Sequence, residues 1–329
     1  VHSQSESRIG IALGSGAAKG FSHIGVLKAL EQMGIFPHVV AGTSMGAFVG
    51  AAYAAGKLAA LEDWVRRLDN WQVFSLLDIN WTLNGGVLGG RKPFNAFFDN
   101  IDCKLIEELP LPFTAVATDL HSGQEIWLQS GNLRDAVSAS CAIPGLLSPK
   151  RLSGRWLVDG AVVNPIPVDV CRAMGATRVI AVDVTEDGVS QQDRRQGQVK
   201  KVHSEATPQL QEEPREGEEV VTEQTNHSTL SFNGLVAQGK AHLAQLTVRL
   251  SKRHRDAPGM LDTMTSAMDI LERRLKRTRL TGSPPDVLIM PKVRDISGME
   301  FARAAEAIEA GEAETLRLRT WLEDVILPA

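Results

Sequence analysis

Short β-rich runs alternate with longer helical stretches along this chain, and that rhythm restricts the fold more than any other feature. Ile9-Gly-Ile-Ala-Leu13 comes first, followed by a glycine-rich turn and a helical stretch from Gly20 to Met33. The pattern returns at Val39-Val-Ala41 before Gly46 to Gly56, at Phe113 to Thr118 before Leu133 to Ser140, and at Val179 to Val184, with a late strand at Val287 to Met290. Strands separated by helices predict an α/β fold with a mostly parallel central sheet flanked by helices on both faces. Sites in such sheets form at the carboxyl ends of strands. A chain of 329 residues with 43% hydrophobic content can bury a large core, and a single domain over 1–329 is the expected organisation.

Two segments interrupt the rhythm. Residues 61–98 carry Trp64, Trp71, Trp81 and several Phe among Asn and Gly, which reads either as a cap over an apolar channel or as ordinary packing helices and a turn. Residues 186–228 hold ten acidic and five Lys or Arg residues and no aromatic, the composition of a disordered insertion. Beyond it, Met264, Met268, Leu271 and Leu275 recur at helical spacing, and the methionines are expected in a core rather than on lipid. Arg273, Arg274, Lys276, Arg277 and Arg279 crowd the end of the same helix. With Arg249, Lys252, Arg253 and Arg255 they suit transient contact with anionic lipid head groups, although a solvated face that complements the helix dipole is the simpler reading.

A net charge of −4 supplies no global attraction to nucleic acid, and none is expected as a partner. Cys103, Cys141 and Cys171 are far apart and odd in number, which suits a reducing compartment rather than a disulfide framework. No run approaches the roughly 18 consecutive apolar residues of a membrane span, and Val1 to Arg8 lacks the apolar core of a signal peptide. The expectation is a soluble cytoplasmic protein, peripheral at most to the inner face of the membrane. Composition sets no oligomeric state.

Ala41-Gly-Thr-Ser-Met-Gly46 places G-x-S-x-G between a short β run and a helix of small residues, so Ser44 is expected on a tight strand-to-helix turn. Side chains at Gly42 or Gly46 would collide with neighbouring backbone, and the following helix directs its positive end towards the serine. A serine nucleophile needs a base and an oxyanion hole. His203 and His227 lie in the polar insertion, His242 in a helical stretch and His254 in a basic run; none follows an expected strand. His23, His38 and His121 read as structural or surface residues. A Ser-His-Asp triad is therefore disfavoured, leaving a carboxylate as direct partner. Asp119, Asp159 and Asp183 all end strands or turns, and residue type alone does not choose among them. Asp159 gains because Trp156-Leu-Val158 leads into Asp159-Gly160-Ala161, where Gly160 permits a close approach to another backbone.

Gly14-Ser-Gly-Ala-Ala-Lys-Gly20 follows a strand and opens a helix, as phosphate-binding loops do. Walker A requires Gly-Lys followed by Ser or Thr, whereas Lys19-Gly20-Phe21 stands here. The dinucleotide fingerprint fails as well, because Lys19 occupies the place of its third glycine and no acid lies near 38–40. The same loop suits an oxyanion, with the N–H groups of Gly16, Ala17 and Ala18 as donors. Lys19 either orients this loop or faces solvent.

A Gly-rich loop ending Lys-Gly, then G-x-S-x-G, then Asp-Gly-Ala, in this order, resembles the patatin-like phospholipase family. The likeness continues through Ser22-His-Ile-Gly-Val-Leu27, Ala117-Thr-Asp119, Ala139-Ser-Cys-Ala-Ile-Pro-Gly145 and Asn164-Pro-Ile-Pro167, and covers about Ile9 to Val184. Leu13-Gly-Ser-Gly-Ala-Ala18 and Pro284-Pro-Asp-Val-Leu-Ile289 are similar to the bacterial RssA-type branch. The resemblance implies a Ser44–Asp159 dyad hydrolysing acyl esters of phospholipids or related lipids, without metal or cofactor. Ser44 would attack the acyl carbonyl, Asp159 would accept its proton, and Gly16 with its neighbours would hold the oxyanion. Ser15 and Ala17 depart from the commonest, more glycine-rich loop. An acyltransferase using the same acyl-enzyme and a regulatory or lipid-binding protein of little turnover are the alternatives.

Overall fold

The computed structural model describes residues 7–68, 86–88, 97–99, 101, 103–185, 260–327. Contacts divide the chain into one unit of residues 1–190 with 264–329 and another of residues 191–263. The polar segment 186–228 lies outside the described residues, as do residues 69–85 and 89–96 of the segment read as a cap.

The first unit is built on an eight-stranded sheet of order β10-β9-β1-β2-β4-β8-β7, with β5 paired to β4. β1 (Ile9–Leu13), β2 (Val39–Thr43), β4 (Phe113–Asp119), β9 (Arg178–Val182) and β10 (Val287–Ile289) run parallel, and β1, β2 and β4 are buried throughout, as residues covered on both faces must be. β5 (Glu125–Leu128), β7 (Lys150–Leu152) and β8 (Arg155–Asp159) are antiparallel. A separate pair joins β3 (Gly86–Leu88) to β6 (Gly145–Leu147). The parallel strands and their order of appearance match the alternation in the sequence; the antiparallel end does not announce itself there, because its strands are short and partly exposed.

Side chains that alternate along each strand split into two cores. Ile11, Leu13, Val40, Ile180 and Val182 pack with α1 (Ser22–Gln32), α2 (Met45–Ala54), α3 (Leu58–Arg66), α7 (Ala304–Arg317) and α8 (Arg319–Ile326). Ala12, Ala41, Val179 and Ala181 pack on the other face with Val168, Val170 and Cys171 of α5 (Val168–Ala173). α4 (Leu133–Ser140) begins at Asn132, whose side chain accepts from the Asp135 N–H at 3.0 Å. Trp64 of α3 joins Phe48 and Phe97 in an aromatic cluster, with centroids 6.4 and 5.8 Å away.

Glycine sets the approach of α1 to α7. A Cβ on Gly25 would lie 1.9 Å from the Ile308 carbonyl oxygen, and one on Gly311 would lie 2.0 Å from the Ser22 oxygen. Since these obstacles are backbone, Gly25→Ala is expected to destabilise the fold by about 3 kcal/mol, the upper part of the overpacking range, read as a lower denaturant midpoint at unchanged slope.

On α6 (Met260–Gly282) Met268 is half-buried and the Met264 side chain lies outside the described residues, while Leu271 is 61% exposed and its neighbour Ile270 is 50% exposed. The same helix turns a polar edge inward. Lys276, 2% exposed, pairs with Asp183 at 2.7 Å, and Arg279 reaches Glu125 at 2.8 Å and Asp169 at 3.2 Å. Helical spacing cannot distinguish an apolar from a polar inner edge when the partner surface supplies buried carboxylates.

Candidate active site

Ser44 follows β2 and is the N-cap of α2, with φ 56° and ψ −122°, a conformation that L residues rarely adopt. The turn exists because two glycines clear space around it. A Cβ on Gly42 would sit 2.4 Å from the Gly46 oxygen, and one on Gly46 would sit 2.1 Å from the Leu13 oxygen. Ser140, at the end of α4, holds the bend by accepting the Ser44 N–H at 2.9 Å and donating its hydroxyl to the Val116 oxygen at 2.6 Å. Nothing in the sequence around Ser140 reveals that task beyond its place in the segment Ala139 to Gly145.

Sheet register brings the acid to the serine. β5 occupies one edge of β4 along Ala115 to Thr118, so β2 and β8 share the opposite edge. β2 ends with Thr43 opposite Val116, and β8 enters antiparallel with Asp159 opposite Ala117. Ser44 and Asp159 therefore meet where the C-terminal ends of β2 and β8 face each other. The Ser44 hydroxyl donates to Asp159 Oδ2 at 2.6 Å, and the Ala161 N–H donates to Oδ1 at 2.8 Å. Gly160 makes the corner possible, since a Cβ there would lie 2.2 Å from the Val116 oxygen.

Asp159 is 3% exposed, and this burial pushes its carboxyl up to about 7 against the pull of the Ser44 and Ala161 hydrogen bonds; the charge of Glu272 pushes the same way. An ordinary aspartate is a weak base near neutrality, so burial supplies the basicity that proton abstraction requires. Asp119 and Asp183 are committed elsewhere. Asp119 accepts the His121 and Ser122 N–H groups and meets Arg155 at 3.2 Å, which hold its carboxyl below the usual range, while Asp183 is paired with Lys276.

Of the described histidines, none is hydrogen-bonded to Ser44. His23 is fully buried, with Nε2 2.7 Å from the Gly14 oxygen, and burial lowers it to about 4, so the neutral ring donates to that carbonyl. His38 accepts the Ile9 N–H at 3.1 Å, and His121 is exposed.

The loop from Gly14 to Gly20 lies beside this corner, with Gly20 so close to Met45 that a Cβ would fall 2.4 Å from Met45 Cγ. Its backbone is pinned at several points. The Gly14 N–H donates to Val182 O at 3.1 Å and the Ser15 N–H to Pro165 O at 2.9 Å. Ala18 departs from its expected use: its N–H donates to Gly298 O at 3.0 Å, leaving it engaged within the chain. Among the described residues no carbonyl engages the N–H of Gly16 or Ala17. Ala17 has φ 48°, an uncommon strain for a residue with a Cβ. Lys19 is half-buried rather than fully solvent-facing, and its charge acts on Asp269 of α6. Cys141 is buried against the same corner; its thiol is pushed well up by burial and by the Asp159 charge, while a hydrogen bond with Ser44 opposes.

A family described as patatin-like phospholipase matches residues 11–172, the span that holds Ser44 and Asp159. An uncharacterized NTE family protein of Mycobacterium bovis is 32% identical over 95% of this chain and 91% of its own length. Patatin-like phospholipase domain-containing protein 6 of Homo sapiens is 36% identical over 54% of this chain and 13% of its own length. The neuropathy target esterase sws of Drosophila melanogaster is 32% identical over the same shares. Among solved structures, VipD from Legionella pneumophila superposes with a TM-score of 0.43 at 13% identity, covering 96% of this chain and 67% of that one. These relatives do not bear on the narrower RssA-type branch. With a relative aligned along nearly its whole length and the family pattern spanning its serine and aspartate, this chain belongs to the patatin-like phospholipase family.

Proposed function

We propose that the protein hydrolyses carboxylic esters of phospholipids or related lipids through an acyl-enzyme on Ser44, with Asp159 as the base. The observation that carries this reading is the 2.6 Å hydrogen bond from the Ser44 hydroxyl to a buried Asp159 carboxylate whose affinity for a proton lies near neutrality. Ser44 Oγ adds to the acyl carbonyl as its proton passes to Asp159 Oδ2. The N–H groups of Gly16 and Ala17 receive the negative oxygen. Collapse of the tetrahedral species breaks the ester C–O bond, and Asp159 returns its proton to the departing alkoxide. Water then attacks the acyl-enzyme, Asp159 takes its proton, and the second collapse releases the fatty acid and restores the Ser44 hydroxyl.

Reaction of the purified protein with a fluorophosphonate probe, with the adduct mapped by mass spectrometry, tests the nucleophile. The expected adduct is on Ser44 and is absent from Ser44→Ala, whose Cβ matches that of serine in the turn. An unmodified Ser44 in the presence of lipid or detergent would sink the proposal in favour of a binding protein.

A further inference from the structure

The loop that would receive the oxyanion contains a serine where a glycine would serve, and the structure shows what its hydroxyl does. Ser15 is 5% exposed and donates a hydrogen bond to Glu272 Oε1, which arrives from α6, 257 positions later in the chain. Glu272 belongs to the polar inner edge of that helix. One turn on, Lys276 is buried against Asp183 and also donates to the Thr185 backbone oxygen. α6 thus clasps the end of β9 and the loop after β1 through adjacent turns of one helix.

Gly14 and Ser15 are tied at the backbone to Val182 and Pro165, and His23 holds the Gly14 oxygen. The next two residues, Gly16 and Ala17, carry the N–H groups assigned to the oxyanion, and Ala17 is held at positive φ. The Ser15 side chain tethers the loop on one side of those donors, as the Ala18 N–H bonded to the Gly298 oxygen does on the other. Resting on the reading of Ser44 as nucleophile, we propose that Glu272 is a positioning residue, fixing Ser15 and through it the Gly16 and Ala17 N–H groups where the acyl oxyanion forms.

A second consequence is electrostatic. Glu272 is partly buried, and that burial pushes its carboxyl up to about 7; the Ser15 hydrogen bond and Lys276 oppose the rise, while Asp269 and Asp183 add to it. Lys19 faces Asp269 from the loop itself. The Glu272 charge in turn favours the proton on Asp159. Neutralising Glu272 therefore lowers the pH at which Asp159 becomes a base.

The test uses the full chain, a p-nitrophenyl ester of a medium-chain fatty acid, and the variants Ser15→Ala, Glu272→Ala, Glu272→Gln and Ser15→Ala/Glu272→Ala. Expected for each alanine variant is a fall in kcat of roughly 10- to 100-fold with KM within about twofold, since donors aimed at the transition state are displaced while substrate binding is spared. The double variant falls no further than either single one, because both remove the same tether. Glu272→Gln, which still accepts the Ser15 hydrogen bond, recovers most of the loss and moves the acid limb of the pH–rate profile to lower pH. Wild-type kcat and an unmoved profile in all variants, or losses that simply add, would overturn the proposal. Amide hydrogen exchange in the peptide around residues 13–21 keeps it separate from the hydrolase reading: faster exchange is expected in both alanine variants even if the wild-type chain proves inert to esters, and unchanged exchange would overturn the positioning role by itself.

Discussion

Asp159→Asn is expected to lower ester turnover and fluorophosphonate labelling by roughly 10⁴-fold or more, the scale seen when a catalytic unit loses one member. Asparagine preserves the shape of the side chain, and its carbonyl oxygen can still accept the Ala161 N–H. What it cannot do is take the Ser44 proton, and among the described residues no second base is hydrogen-bonded to Ser44. Asp119 is held by Arg155 and two backbone N–H groups, Asp183 by Lys276, and His23 by the Gly14 carbonyl. Labelling rates of the variant and wild type, with circular dichroism to show that both are folded, decide the matter. Near-normal labelling in Asp159→Asn would remove the dyad from the mechanism.

The second large effect is on pH dependence, where activity and stability should move in opposite directions. In the proposed mechanism Asp159 works only when deprotonated, and burial raises its carboxyl to about 7. Below that value the rate is expected to fall about tenfold per pH unit, and above it to level off. Stability follows from the same shift. The native state holds a proton on Asp159 between the ordinary aspartate range near 4 and about pH 7, whereas the unfolded chain does not. This contribution to stability is complete below pH 4 and is lost as pH rises through 7. Ionised Asp159 thus weighs on the fold at neutral and alkaline pH. A shift of roughly three pH units corresponds to at most about 4 kcal/mol, so Asp159→Asn should melt at higher temperature than wild type at pH 8 and at nearly the same temperature at pH 4. A variant that melts lower at pH 8 would show that the carboxylate is a structural asset and not a strained base. Such exchange of stability for activity is the ordinary condition of a buried functional acid.

Much of this arrangement was readable along the chain because its causes are local. The run Ile9 to Leu13 and the helix over Leu133 to Ser140 announce themselves by apolar periodicity, and both occupy the expected residues. Gly42, Gly46 and Gly160 were expected where backbone passes close, and the space around each is filled by the backbone of a neighbour. The strained turn at Ser44 is likewise a property of six consecutive residues.

Other features depend on residues far apart in sequence, and local pattern is blind to them. Residue type left Asp119, Asp159 and Asp183 level and Gly160 favoured Asp159, but what carries that carboxylate to Ser44 is the register of β2 and β8 along one edge of β4. Its raised proton affinity comes from the burial of that corner, a collective result of packing that no neighbour in sequence encodes. Ala18 was read as a donor until a carbonyl 280 positions away, on Gly298, claimed its N–H. The helix α6 shows the same limit: its residue spacing does not reveal that buried Asp183 and the Ser15 hydroxyl draw Lys276 and Glu272 inward. The amino-acid sequence by itself determined the strands, the turn and the chemical repertoire, since these follow from backbone sterics and hydrophobic period within a few residues. How basic the Asp159 carboxyl is, how close it comes to Ser44 and what holds the loop beside it were decided only by tertiary structure, because burial and long-range pairing exist only once the chain has closed on itself.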